Sequence, residues 1–197
     1  MTTITGPDRG WRVVDIVVAA VVAVAFGVVF VAWNTLWSAA IPAFAALPPA
    51  QAILYGVWLL PGVLVGLIVR RPGAALFGGI VSAAVSALIG SQWGLDALVS
   101  GAIQGGGAEL GFAIGLYRWW NLPFAILAGV LAGAGAAIHD IVVYYANLDP
   151  GYWAIFAIGT MLSGALVAGL GGWMLLRALI RTGVLRDFAA GREGPEV

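Results

Sequence analysis

Six long apolar runs divide the chain, and each is closed by residues that stop helices. The runs cover residues 13–33, 51–69, 73–90, 95–117, 122–146 and 152–177. A helix needs about 20 mostly apolar residues to cross the hydrocarbon core of a bilayer, and every run is close to that length. The breaks are Pro42 with Pro48-Pro49, Arg70-Arg71-Pro72-Gly73, Gly90-Ser91-Gln92-Trp93-Gly94, Arg118 to Asn121, and Asn147-Leu148-Asp149-Pro150-Gly151. Pro, Gly and Asn end helices there for steric and turn-forming reasons. The strict apolar–polar alternation of a membrane barrel strand is missing. The pattern predicts an all-α integral membrane protein with six transmembrane helices. Ala43-Phe44-Ala45 resembles a signal-peptide cleavage site, but the run before it is longer than a signal core, so it is expected to remain as the first span. No internal repeat supports an inverted-repeat carrier.

The arginines orient the spans. Arg9 and Arg12 precede the first, Arg70 and Arg71 separate the second and third, and Arg118 separates the fourth and fifth. Arg177, Arg181, Arg186 and Arg192 lie at or beyond the end of the sixth. In a six-span chain all of them fall on one side, which the positive-inside rule makes cytoplasmic. The expected organisation is a cytoplasmic segment 1–12, a six-helix transmembrane domain 13–180 and a cytoplasmic tail 181–197 in the cell membrane, with both termini inside. Loops 34–50, 91–94 and 147–151 then face outward.

Composition removes several classes of chemistry. The chain is 62% hydrophobic and 9% charged, against about 25% charged in soluble domains. All nine basic residues are Arg, and a Walker A loop requires Lys, so ATP hydrolysis by that route is excluded. With no Cys and one His, disulfides, thiolate sites and two-His zinc motifs are excluded too. Net charge is zero and there is no basic tail, so nucleic acid is not an expected partner.

Ionisable groups inside a bilayer are costly and therefore informative. Asp15 reads as an interfacial charge beside Arg12. Glu109, His139 and Asp140 lie within apolar runs, away from any Arg. Glu109 ends the sequence Gln104-Gly105-Gly106-Gly107-Ala108-Glu109. Its glycines either let another helix approach closely or leave bare backbone against which a flat ligand can lie. Asp140 shares a helical face with Ala136, Ala137 and Tyr144. Tyr55 and Trp58 share a face of the second run, whereas Trp33, Trp37, Trp93, Tyr145, Tyr152 and Trp153 read mainly as interfacial belt residues. Two aromatics, two carboxylates and a Gln suit a small planar cationic heterocycle held by stacking and cation–π contact; other flat, polar nutrients fit the same inventory. A Ser–His hydrolase using Ser100 or Ser163 lacks a Gly-x-Ser-Gly turn. Ala19, Ala23 and Gly27 form a small-residue stripe suited to close helix contact, within the chain or with a partner.

Six blocks in order carry a resemblance. They are Tyr55-Gly56-Val57-Trp58, Arg70-Arg71-Pro72-Gly73-Ala74-Ala75-Leu76, Gln104 to Glu109, Ile138-His139-Asp140, Pro150-Gly151-Tyr152 and Ser163-Gly164-Ala165-Leu166. Together they resemble the substrate-binding S components of energy-coupling factor transporters, of the YkoE type. The resemblance implies a six-helix bundle that is not an enzyme and carries no cofactor or metal. Such a subunit binds thiamin or its hydroxymethylpyrimidine moiety from outside and works with a transmembrane coupling subunit and ATPase subunits. It carries Glu109, Gln104, Gly105, Trp58, Tyr55 and Asp140 into the ligand site on motif blocks, and Trp33, Asn34 and Tyr144 by depth. Ala19 and Ala23 are similar to the Ala-xxx-Ala motif by which S components dock on the coupling subunit. On this reading Glu109→Gln weakens binding well over tenfold. Another flat vitamin, or an autonomous ion-coupled carrier or channel, is the alternative.

Overall fold

Small residues set how closely the helices approach one another. The computed structural model describes residues 10–186 and 188–192, so Arg9 and the end of the tail lie outside the described residues. The described chain runs through α1 (Val13–Ala40), two 3₁₀ segments (Ile41–Phe44 and Pro48–Leu54), α2 (Gly56–Val69), α3 (Ala74–Ile89), α4 (Asp96–Ile114) and α5 (Leu122–Val143). It ends with α6 (Pro150–Ser163), a π-helical stretch (Gly164–Gly171), α7 (Gly172–Arg181) and the short α8 (Ala189–Arg192).

Among the described residues, four helical segments are long and apolar enough to cross a bilayer: Val13–Phe44, Pro48–Val69, Leu122–Val143 and Pro150–Arg181. The 16 residues of α3 extend only about 24 Å, short of a ~30 Å hydrocarbon core. The apolar character of α4 is diluted by Asp96, Gln104 and Glu109.

The first helix is longer than its apolar run. Residues 34–40 were expected in an outer loop because Asn34, Thr35 and Ser38 interrupt the hydrophobic pattern. They continue α1 because the hydroxyls turn back onto the helix. Thr35 Oγ1 donates to the Val31 carbonyl at 3.1 Å, and Ser38 Oγ to that of Asn34 at 3.2 Å.

Hydrogen bonds define the two ends of the bundle. At the arginine-rich end, Asp15 pairs with Arg12 at 2.6 Å and lies 4.0 Å from Arg71. There the Trp11 indole donates to the Pro72 carbonyl at 2.9 Å, tying the start of α1 to the α2–α3 turn. At the opposite end, Ser38 meets Gln92 at 3.0 Å, and Gln51 donates to the Trp37 carbonyl at 2.7 Å.

Between the ends, α2 is the central helix, with Leu59 and Val63 to Val69 buried. Beside it α3 and α4 cross at bare backbone: a Cβ on Gly79 would fall 2.5 Å from the Gly101 carbonyl oxygen and 2.9 Å from Gly105 Cα. In α4, Gly107 and Gly111 abut Leu131 and Ala128 of α5 in the same way. The stripe on α1 is also internal. Ala19 and Ala23 are about 1% and 0% exposed, and Gly27 lies against Val85 of α3. Ala19 and Ala23, expected to dock a coupling subunit, are thus covered by this chain's own helices.

Candidate functional site

A cavity of about 250 Å³ opens at the end away from the arginines, walled by α1, α2, α3, α4 and α5. That is slightly below the ~300 Å³ at which drug-sized pockets begin, a size for one or two small rings. Each wall contributes through its turns at that end. The last turns of α1 supply Phe30, Asn34 and Trp37, and the start of α2 supplies Tyr55 and Trp58. Gly79, Ala83 and Ser86 of α3, and Asp96, Ser100, Gly101 and Gln104 of α4, form one side. Asp140, Tyr144 and Tyr145 close it from the end of α5, with Trp93 from the α3–α4 turn.

The aromatic part is a packed cluster centred on Trp58. Its ring lies 5.0 Å from Trp37, 5.1 Å from Tyr55 and 5.3 Å from Trp93, at steep interplanar angles in each case. The Trp58 indole donates to Asn34 Oδ1 at 3.0 Å, which fixes the ring and turns the Asn34 amide toward Ser86. The Tyr55 position rests on a chain break between the 3₁₀ segment and α2. Ser163 bridges that break: its Oγ accepts from Gly56 N at 2.8 Å and donates to the Ile53 carbonyl.

Two carboxylates flank one imidazole on the other wall. Asp140 accepts from the Tyr55 hydroxyl, and its Oδ1 lies 2.9 Å from His139 Nδ1. His139 Nε2 is 3.3 Å from Asp96 Oδ1 but out of line for a hydrogen bond. Asp96 in turn accepts from the Tyr144 hydroxyl. The chain Tyr55–Asp140–His139–Asp96–Tyr144 spans three helices and holds two acids at the cavity without a basic side chain lining it among the described residues. Gln104 adds an amide whose Nε2 donates to Ser100 Oγ at 2.6 Å. Both imidazole nitrogens face carboxylates, and neither Ser100 nor Ser163 is bonded to His139, so no Ser–His pair exists for a hydrolase. Among the described residues no group of three His, Cys, Asp or Glu is placed to hold a metal ion.

Of the residues expected to contact ligand, Gln104, Trp58, Tyr55, Asp140, Tyr144 and Asn34 come together here. Glu109, Gly105 and Trp33 do not line the cavity. The Glu109 carboxylate accepts from the backbone N–H groups of Gly73 at 2.6 Å, Ala75 at 2.9 Å and Leu76 at 3.4 Å. It also accepts from the Tyr117 hydroxyl at 2.8 Å. It thus caps the start of α3, where a negative charge meets the positive end of the helix dipole. Glu109 is thirteen residues along α4 from Asp96, about 20 Å of rise, at the arginine-rich end. A Cβ on Gly105 would lie 3.0 Å from the Ala75 carbonyl oxygen, so its bare backbone receives a neighbouring helix. The Trp33 indole donates to the Leu54 carbonyl at 3.1 Å.

Asp96 and Ser86 were missed, and Trp37 and Trp93 were read as belt residues. Asp96 had a signal in the sequence: it is an acid on the side of the apolar runs that carries no arginine.

A family model for the permease component of an ABC-type cobalt transport system matches residues 14–135. A Bacillus subtilis (strain 168) protein named as a candidate HMP/thiamine permease, YkoE, is 35% identical over 186 residues, covering 94% of this chain and 92% of that protein. Among solved structures, the crystal structure of an S component of an ECF transporter superposes with a TM-score of 0.88 at 35% identity, over 93% of each chain.

Proposed function

The chain belongs to the S components of energy-coupling factor transporters, of the YkoE type, and on that premise we propose that it captures thiamin in the cavity walled by α1 to α5. The observation that carries this reading is the pairing of Asp96 and Asp140 with the indoles of Trp37, Trp58 and Trp93 in a cavity lined by no basic side chain among the described residues. That chemistry favours a flat organic cation. Indole faces attract the charge by about 0.5–2 kcal/mol, and two carboxylates in a partly dehydrated cavity add Coulomb attraction that bulk water would quench. The Gln104 amide and a carboxylate supply the donor and acceptor that an aminopyrimidine edge pairs with, while the carboxylate pair offsets the thiazolium charge.

The subunit is non-enzymatic, as its relatives' class is. Its position follows from the arginines: six spans, termini and arginine-rich end in the cytoplasm, cavity toward the outside. The chain lacks Lys and so lacks a Walker A loop. The energy for release inward therefore comes from ATPase subunits joined through a transmembrane coupling subunit. The thin segments 41–54 and 90–95 lie at the cavity mouth end.

Mass spectrometry of small molecules released from the purified, denatured subunit tests the reading, followed by titration with thiamin and with hydroxymethylpyrimidine. Thiamin at near one-to-one yield, competed more weakly by the pyrimidine alone, is the expected result. Equal competition would reassign the ligand to the pyrimidine moiety. A subunit that is empty and does not bind added thiamin would end the thiamin assignment. Uptake into liposomes without ATPase subunits would favour an autonomous carrier.

A further inference from the structure

At the arginine-rich end a second cavity, of about 360 Å³, collects three guanidinium groups from three separate elements. Arg70 comes from the end of α2, Arg118 from the α4–α5 connection and Arg177 from α7. No acidic side chain lines it among the described residues, and neither Arg118 nor Arg177 has a carboxylate partner there. The carboxylate nearest to Arg118 in sequence, Glu109, is committed to the N–H groups that start α3. The guanidinium groups of Arg118 and Arg177, gathered in one concavity, repel unless an anion joins them.

The other lining groups suit a phosphate at a membrane boundary. Asn121 uses its Oδ1 to cap α5, accepting from Phe124 N at 3.3 Å, which leaves its amide N–H₂ to donate. That cap marks the N-terminus of a 22-residue helix, whose dipole favours a negative charge. Trp119, Trp120 and Trp173 line the same cavity, and indoles concentrate at the headgroup level of bilayers. Leu116, two residues before Arg118, and Met174, three before Arg177, are 62% and 63% exposed. Apolar surface for acyl chains thus adjoins the charged groups in the sequence.

We propose that this cavity is a binding site for the phosphate headgroup of an anionic phospholipid, held by Arg118 and Arg177 with Arg70 and Asn121. Basic pockets between transmembrane helices on the cytoplasmic side recognise such headgroups, and Arg pairs with phosphate oxygens through two parallel N–H bonds. The inference rests on membrane embedding and does not depend on which vitamin occupies the outer cavity.

The test is titration of the detergent-solubilised full chain with phosphatidylglycerol and with phosphatidylcholine, read as bound lipid by native mass spectrometry. Phosphatidylglycerol is expected to bind at least about tenfold more tightly. Arg118→Gln with Arg177→Gln should weaken it about 30-fold, equivalent to about 1 kcal/mol for each arginine, while Arg181→Gln with Arg186→Gln leaves it unchanged. Should the first pair fail to fold, Arg118→Lys with Arg177→Lys keeps the charge, loses the bidentate fork, and should cost about fivefold. Equal binding of the two lipids overturns the proposal, as does a preference untouched by either pair at 118 and 177. Displacement of the lipid by millimolar inorganic phosphate overturns it in favour of a soluble phosphate ligand.

Discussion

Glu109→Gln separates a carboxylate that holds the fold from one that holds a ligand. The substitution keeps size and removes charge. In the native chain one carboxylate oxygen takes Gly73 N–H and the Tyr117 hydroxyl, and the other takes Ala75 and Leu76 N–H. A glutamine has a single oxygen. Its best arrangement keeps the Ala75 and Leu76 bonds and turns its N–H₂ toward Gly73 and Tyr117. The tyrosine hydroxyl can rotate to accept, but the Gly73 N–H cannot, and leaving this part-buried donor unsatisfied costs up to about 1–3 kcal/mol. Loss of the charge at the start of α3 adds about 0.3–1 kcal/mol. The sum, about 1–4 kcal/mol, corresponds to a fall in Tm of roughly 3–16 °C for a chain of this size. Ligand affinity should hardly respond. A cation in the outer cavity is roughly 15 Å away along α4, where the lost attraction is at most about 1 kcal/mol at an effective dielectric of about 20, or sixfold. A direct contact would instead cost about 2–5 kcal/mol. Differential scanning fluorimetry and calorimetric titration with thiamin measure both quantities on one preparation. A variant with unchanged Tm and affinity reduced more than 30-fold would refute the assignment of Glu109 to the α3 cap.

Asp140→Asn should weaken thiamin binding more than tenfold in the same titration, because it removes a cavity charge and leaves one oxygen where Tyr55 and His139 meet two. Trp58→Phe should cost about 1 kcal/mol of affinity, with loss of the bond to Asn34; Trp58→Ala should cost more, and equal losses would deny the ring a role in stacking. Gly79→Ala should lower stability by about 1–3 kcal/mol, since its Cβ would meet the backbone of α4; an unchanged melting temperature would contradict the α3–α4 crossing. Ala23→Leu should destabilise the isolated subunit, read as a lower Tm without any coupling subunit present, because the residue is buried within the bundle.

The sequence showed the helices more readily than their ends. Apolar runs bounded by Pro, Gly and Asn marked the positions of α1 to α6, because bilayer burial and helix termination are both local in the chain. The end of α1 was not legible. Thr35 and Ser38 satisfy their hydroxyls on carbonyls four residues back, so polar residues there read as loop while behaving as helix. The place of Glu109 was not legible either, because its partners are the N–H groups that open α3, 33 to 36 residues away in the chain. Asp140 was legible because it had no arginine to pair with at any helical spacing. Its partner Tyr55 was hidden by a sequence separation of 85 residues, and Asp96, on the far side of His139, by the ordinary look of an acid in the first turn of a helix.

The two acids of α4 illustrate what decides the use of a charge in this bundle. Asp96 and Glu109 belong to one helix, yet Asp96 opens it beside His139 and Tyr144, while Glu109 lies where α3 begins. The start of α3 presents free N–H groups that demand an acceptor, and Glu109 supplies it, which leaves that carboxylate with no capacity for a ligand. Asp96 meets no helix start other than its own and no arginine; the Tyr144 hydroxyl donates to it and the His139 ring lies beside it. The glycine contacts at positions 79, 101 and 105 then hold α3 against α4, so that Ser86, Asp96 and Gln104 keep a fixed spacing on one wall. Close packing at mid-bundle therefore sets the geometry of recognition one or two turns above it, and substitutions in the glycine crossing should alter selectivity between thiamin and its pyrimidine fragment as well as stability.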